Sequence, residues 1–147
     1  NNTELEQALA WIDRGIYFRV MGQKTFLTLN TKAEILIRLN RKEEVKKILA
    51  EALPLASNMG DVHFFARQLL NAGMVEESFN YFKHNYETFP NEMMTTVGMA
   101  RAYSAKGDYK KALSYLKTAQ ALAKDDVNKN NIAAMLKKLE EDKDINK

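Results

Sequence analysis

Gly73 and Gly107 stand 34 residues apart, and the stretches around them match column by column. The same offset lays Ala66 on Ala100, Leu69 on Tyr103, Ser78 on Ala112 and Phe82 on Leu116, so small falls on small and large on large. A step of 33 back from Gly73 reaches Asn40, with Ala33, Leu36, Val45 and Leu49 in the same columns. A unit this short cannot bury its own apolar face, so consecutive units must stack. Small residues let one helix approach the next, and large apolar ones fill the groove between them. Each unit therefore reads as two amphipathic helices, broken at Asn40, Gly73 or Gly107 by residues that tolerate the left-handed conformation closing a helix.

Composition supports an all-α chain. Gly (6) and Pro (2) are scarce, and 46% of the residues are hydrophobic, enough for one core within 147 residues. Helices are expected near 4–18, 25–39, 42–55, 59–72, 75–88, 92–106, 109–123 and 127–141. Asp108 is placed to cap the helix after Gly107, and Asp125 or Asp126 the last one. Asn40 with Glu43, and Thr3 with Glu6, read as capping boxes. Ala8, Ile12 and Gly15 echo Val45, Leu49 and Ala52 at an offset of 37, which makes 4–18 the second helix of an earlier unit. Ile132, Met135, Leu136 and Leu139 share one face of 127–141, the pattern of a terminal cap with a polar outer side. The opening Asn1-Asn2-Thr3 leads us to expect a domain taken from a longer chain.

These columns resemble the tetratricopeptide repeat, W-x2-L-G-x2-Y, then A-x3-F, then P. The last unit has Met99-Ala100-x2-Tyr103, Gly107-Asp108-Tyr109 and Ala112-x3-Leu116, with Ala119 beyond. The middle one has Val62-x2-Phe65-Ala66-x2-Leu69 and Ser78-x3-Phe82, closed by Pro90. The first has Leu29, Ala33, Leu36, Val45-x3-Leu49 and Ala52. Thr96 replaces the usual Trp, Lys32 stands in an apolar column and Asn85 in a small one. The resemblance implies a right-handed α-α superhelix of about eight helices, as a single domain over 1–147. It would comprise a partial repeat helix 4–18, repeats 25–58, 59–92 and 93–126, and a capping helix 127–141. Ala8-Leu9-Ala10-Trp11, Gly22-Gln23-Lys24, Gly98-Met99-Ala100-Arg101-Ala102-Tyr103-Ser104 and Asp142-Lys143-Asp144-Ile145-Asn146 also resemble the helical-repeat tail of a bacterial family of uncharacterised function. Members of that family carry a β-rich domain ahead of the tail and look exported, which would place the chain in a periplasm or cell envelope.

Little in the chain suggests catalysis. It has no Cys, and His63 and His84 lack the spacing of a metal-binding helix. No cofactor is expected. Glu43-Glu44, Glu76-Glu77 and Glu140-Glu141 are adjacent on helices and so diverge, and lysines nearby make them ordinary solvated charge. The six glycines are isolated, which excludes a phosphate-cradling loop. Lys and Arg (22) exceed Asp and Glu (19) by only three, too little for a nucleic-acid footprint. Helical spacing assigns Tyr81-Phe82-Lys83-His84-Asn85-Tyr86 to the core and not to a base-stacking platform. No apolar run is long enough to span a membrane.

The resemblance directs attention to the concave face lined by the first helix of each hairpin. Counting along the columns places Asn30, Glu34, Arg38, His63, Phe64, Arg67, Asn71, Val97, Arg101 and Ser104 on it. Arg67 and Arg101 are aligned, and Arg38 lies one turn further along its unit. Guanidiniums with Asn and His between them suit a carboxylate or an acidic peptide. The carboxylate clamp of chaperone-binding tetratricopeptide proteins is missing, because its positions hold Asn30 and Glu34, then Phe64, then Met94 and Gly98. Met93, Met94 and Met99 offer an adaptable peptide-binding face or fill gaps between repeats. The expectation is a non-catalytic module that binds a protein segment in its groove. The alternative is a structural array that packs on its own upstream domain or on itself, with Leu5, Trp11, Ile12 and Tyr17 as the buried edge.

Overall fold

The computed structural model describes residues 1–18 and 22–147. Among these the chain is all-helical: α1 (Asn2–Tyr17), α2 (Phe26–Arg38), α3 (Lys42–Ala52), α4 (Met59–Asn71), α5 (Val75–Thr88), α6 (Met93–Ala105), α7 (Tyr109–Leu122) and α8 (Asp126–Glu140). Each bound lies within three residues of its expected place, because apolar periodicity and left-handed breaks dictate both. Gly73 and Gly107 have φ of 74° and 78°, and Asn40 takes 58°. Such residues let the chain reverse at once, so α2 and α3, α4 and α5, and α6 and α7 form antiparallel hairpins.

Two expected capping boxes do not form. Asn40 closes α2: its N–H and that of Arg41 donate to Ile37 O and Leu36 O at 2.9 Å each. A residue in that conformation cannot also cap α3, whose N-cap is Arg41 with no side-chain cap bond. At the other box, Asn1 starts α1 two residues before Thr3 by accepting from Thr3 N–H at 3.0 Å. Asp108 and Asp125 cap α7 and α8 as expected, accepting from Lys111 and Asn128 N–H. Thr25 caps α2 through a reciprocal bond pair with Thr28.

Although its length suggests one domain, the chain divides into two compact units, Asn1–Asn58 and Met59–Lys147. The division falls between the first and second full repeats, after a 3-10 turn at Leu53–Leu55 that begins Leu53-Pro54. In the first unit α2 packs on both α1 and α3. In the second, α4 packs on α5, α5 on α6, α6 on α7 and α7 on α8, while α4 also meets α6 directly. The repeat columns form the core: Ala33, Leu36, Val45 and Leu49 in the first unit, and Ala66, Leu69, Phe82, Ala100, Ala112 and Leu116 in the second. Tyr103 stays partly exposed, stacked on Tyr115 at 5.5 Å.

The three departures from the repeat pattern each make a local polar contact, although Asn85 Oδ1 is buried without a hydrogen-bond partner. Thr96, buried where an indole is usual, donates its hydroxyl to Glu92 O at 2.7 Å. Asn85 reaches from α5 to Met59 O at 3.0 Å. Lys32 pairs with Asp13 and lies 5.0 Å from the Tyr17 ring centre, so its stem is covered and its charge is met.

Gly98 allows the contact that positions α6. A Cβ there would come within 2.6 Å of Phe82 Cδ1, and Phe82 is wholly buried. Gly98→Ala gains helix propensity but must displace that ring, so the variant is expected to lose about 1–3 kcal/mol of stability. A urea titration followed by circular dichroism measures this, and an unchanged or raised midpoint would show that the ring yields freely.

Candidate functional site

The candidate site lies in the second unit, where α4, α6 and α8 present side chains to two adjoining hollows. One, of about 360 Å³, is lined by His63, Met93, Met94, Val97, Arg101, Asn128, Asn131, Ile132 and Met135. The other, of about 280 Å³, is lined by Gly60, His63, Phe64, Arg67, Gln68, Asn71 and Met94. His63 and Met94 belong to both. The larger hollow has a make-up common among ligand sites, apolar walls with a few convergent polar groups, while the smaller is lined mostly by polar residues, with Phe64 and Met94 as its large apolar side chains.

His63 sits at the join. Its ring meets Phe82 edge-on at 5.4 Å, and its Nδ1 is buried without a hydrogen-bond partner, close to Gly98. Burial first, then the charges of Arg101 and Arg67, push its pKa down to about 4, so the imidazole is neutral at pH 7. With Nδ1 turned inward, the other ring nitrogen is the one left for the hollows.

Arg101 is a guanidinium short of partners. Its Nη1 reaches Asn146 Oδ1 at a long 3.4 Å, and its Nε is buried with none. Desolvation and Arg67 lower its pKa, while Asp144 opposes them through charge. Arg67, exposed on α4, makes no ion pair within 4 Å among the described residues. Two cations and a histidine held neutral thus share one face without a carboxylate in contact with either arginine. Perturbed titration in a cleft is a marker of functional sites.

The segment after α8 completes one end of this face. Asp142 turns the chain at φ 54°, and Ile145 enters the core at 5% exposure. Ser104 Oγ donates to Asp144 Oδ1 at 2.8 Å and accepts from Ile145 N–H at 3.0 Å. Asn146 Nδ2 donates to Arg101 O at 3.0 Å. Ser104 is therefore engaged by the chain's own C-terminal segment and lines neither hollow.

Of the residues counted onto the concave face, His63, Phe64, Arg67, Asn71, Val97 and Arg101 line the hollows. Asn30, Glu34 and Arg38 belong to α2 in the first unit. Asn30 is buried and donates to Phe26 O at 2.8 Å; burial raises the pKa of the half-buried Glu34; and Arg38 is exposed. Met93 and Met94 line the hollows, whereas Met99 is core. Asn128, Asn131 and Met135 of α8 escaped the column count, which treats that helix only as a cap. The Tyr81–Tyr86 stretch is largely internal: Tyr81, Phe82 and Asn85 are buried, and Tyr86 packs edge-on to Tyr115. Among the described residues no cluster of His, Asp and Glu is placed to hold a metal ion, and no helix is long and apolar enough to cross a membrane.

The chain matches no protein-family model, no curated protein and no solved structure.

The depressed His63 pKa makes stability depend on pH. Unfolded, the imidazole titrates near 6.5; folded, near 4. Between these values the unfolded chain binds the extra proton, so stability is complete above pH 6.5 and falls as the solution is acidified toward 4. From pH 7 to pH 4.5 the loss attributable to His63 is on the order of 2 kcal/mol. The difference in urea midpoints between wild type and His63→Gln across that range measures it, and equal slopes for both would place the titration elsewhere.

Proposed function

We propose that this chain is a non-catalytic interaction module of the tetratricopeptide type, which binds an extended or helical segment of another protein along the face of α4, α6 and α8. The observation that carries this reading is the pair of adjoining hollows between first helices of successive hairpins, with the exposed ring of Phe64 and the thioethers of Met93, Met94 and Met135 on their walls. Flexible, polarizable methionines adapt to varied side chains, and an exposed aromatic beside a cleft is a common anchor in interfaces. The repeat columns, the capping character of α8 and the direct contact of α4 with α6 support the same reading.

A second reading rests on a different observation. In the first unit Trp11 is 68% exposed, and Tyr17, Phe18 and Leu27 are at least half exposed. Exposed apolar groups of this size favour a second body packed on α1, in line with a structural role beside an upstream domain or another copy.

Selection of random displayed peptides on the whole chain tests the first reading. Binders should weaken at least tenfold on Phe64→Ala, a change at an exposed position that leaves the fold intact, and should be indifferent to Trp11→Ala. Binders lost on Trp11→Ala alone, or self-association abolished by it in sedimentation, would favour the second.

A further inference from the structure

We infer that the hollows between α4, α6 and α8 form an acidic-peptide subsite, which seats one Glu or Asp carboxylate of the bound segment against Arg101 and Arg67 and a neighbouring apolar side chain among the methionines. The inference rests on the groove-binding reading and names the chemistry that the groove selects.

Three observations support it. First, the charge is uncompensated. Some cations of the unit sit by anions, as Lys106 does by Glu76 at 3.0 Å and Lys111 by Asp108 at 3.2 Å, whereas Arg67 and Arg101, which border the hollows, have no carboxylate within 4 Å among the described residues. Arg67 and Arg101 each lower the affinity of His63 for a proton, and Arg67 does the same to Arg101, so the positive groups repel across the two adjoining hollows that His63 and Met94 share. An anion between them relieves that repulsion, and a partly buried site strengthens the attraction. Second, donors are free. A guanidinium carries five N–H bonds in a fixed fork, and Arg101 uses one side-chain donor, at 3.4 Å. With His63 Nδ1 packed against Gly98, the opposite nitrogen completes the donor set once it carries the proton. Third, the charge is limited. Asp144 already acts on Arg101, and Asp61 stands on α4 two residues before His63, while the charged side chains on the walls of the two hollows are Arg67 from α4 and Arg101 from α6, beside the neutral Asn128 and Asn131 from α8. A single negative charge matches this balance better than a dianionic phosphate, which would also meet Asp144. The rest of the larger hollow is apolar, with Met93, Val97, Ile132 and Met135 around it, room for a leucine-sized side chain next to the carboxylate.

Methionine methyl groups report on the site directly. The whole chain carrying ¹³C-methyl methionine would be titrated with a blocked Gly-Leu-Glu-Leu-Gly peptide and with its Gln counterpart. The Glu peptide should shift the Met93, Met94 and Met135 signals in a saturable way and leave those of the buried Met99 and Met74 in place. The Gln peptide should bind at least tenfold more weakly. Arg67→Gln, at an exposed position with no ion pair to lose, should weaken the Glu peptide by a similar factor and reduce its dependence on salt. The His63 pKa should rise on binding, because a carboxylate favours the imidazolium. Equal shifts with both peptides would overturn the carboxylate assignment and leave groove binding standing. The same follows if neither peptide moves the methyls while a peptide selected by display does. Silence of the three methyls toward all of these peptides would remove the groove reading as well.

Discussion

The close approach of paired helices at small side chains is the contact on which the rest of the structure depends. Ala33 opposes the Val45 column, Ala66 the Ser78 column and Ala100 the Ala112 column, and these six side chains are at most 2% exposed. In the α4–α5 hairpin the fit is close enough for Ser78 Oγ to donate to Ala66 O at 2.6 Å, a side chain of one helix bonded to the backbone of the next. A larger residue at these points would push the helices apart, and the ring of Phe82 would lose the enclosure that Gly98 permits. Because His63 lies edge-on to Phe82, the geometry of the site descends from the same packing.

That dependence explains what the amino-acid order reveals. Helix bounds follow from local rules, namely apolar spacing, a left-handed residue at each reversal and an acidic cap, and these need no knowledge of distant residues. The capping of α3 departs from the sequence expectation because two local rules compete there. Asn40 can either close one helix or cap the next, and a three-residue connection, Leu39 to Arg41, makes closure win. The first-helix columns also bring His63, Arg67 and Arg101 to one face, since residues aligned at the repeat period occupy equivalent positions in successive hairpins. The same rule misplaces Asn30, because a column gives an orientation within a helix and not the depth to which its neighbours bury it.

Less of the site's edge could be read in advance. Asn128, Asn131 and Met135 depend on the rotation with which α8 settles on α7, and that is fixed by Ile132 and Leu139 entering the core. Ser104 is separated from Asp144 by 40 residues, and no repeat relates the two segments. The buried position of Ile145 decides that contact, since a single apolar side chain drawn into the core carries Asp144 and Asn146 with it.

The C-terminal segment also sets how much charge the site retains. Asp144 accepts through one oxygen, Oδ1, from Ser104 Oγ at 2.8 Å, from Asn146 N–H at 3.0 Å and from Asn146 Nδ2 at 2.7 Å. None of these bonds reaches the Arg101 guanidinium, so the carboxylate moderates that charge from a distance instead of neutralising it. Asn146, a neutral amide, is the group that touches the guanidinium. A carboxylate in its place would close Arg101 into an internal ion pair and leave the cleft with the single charge of Arg67. The segment thus holds the end of α6 through the Asn146 amide while Arg101 Nε stays without a partner.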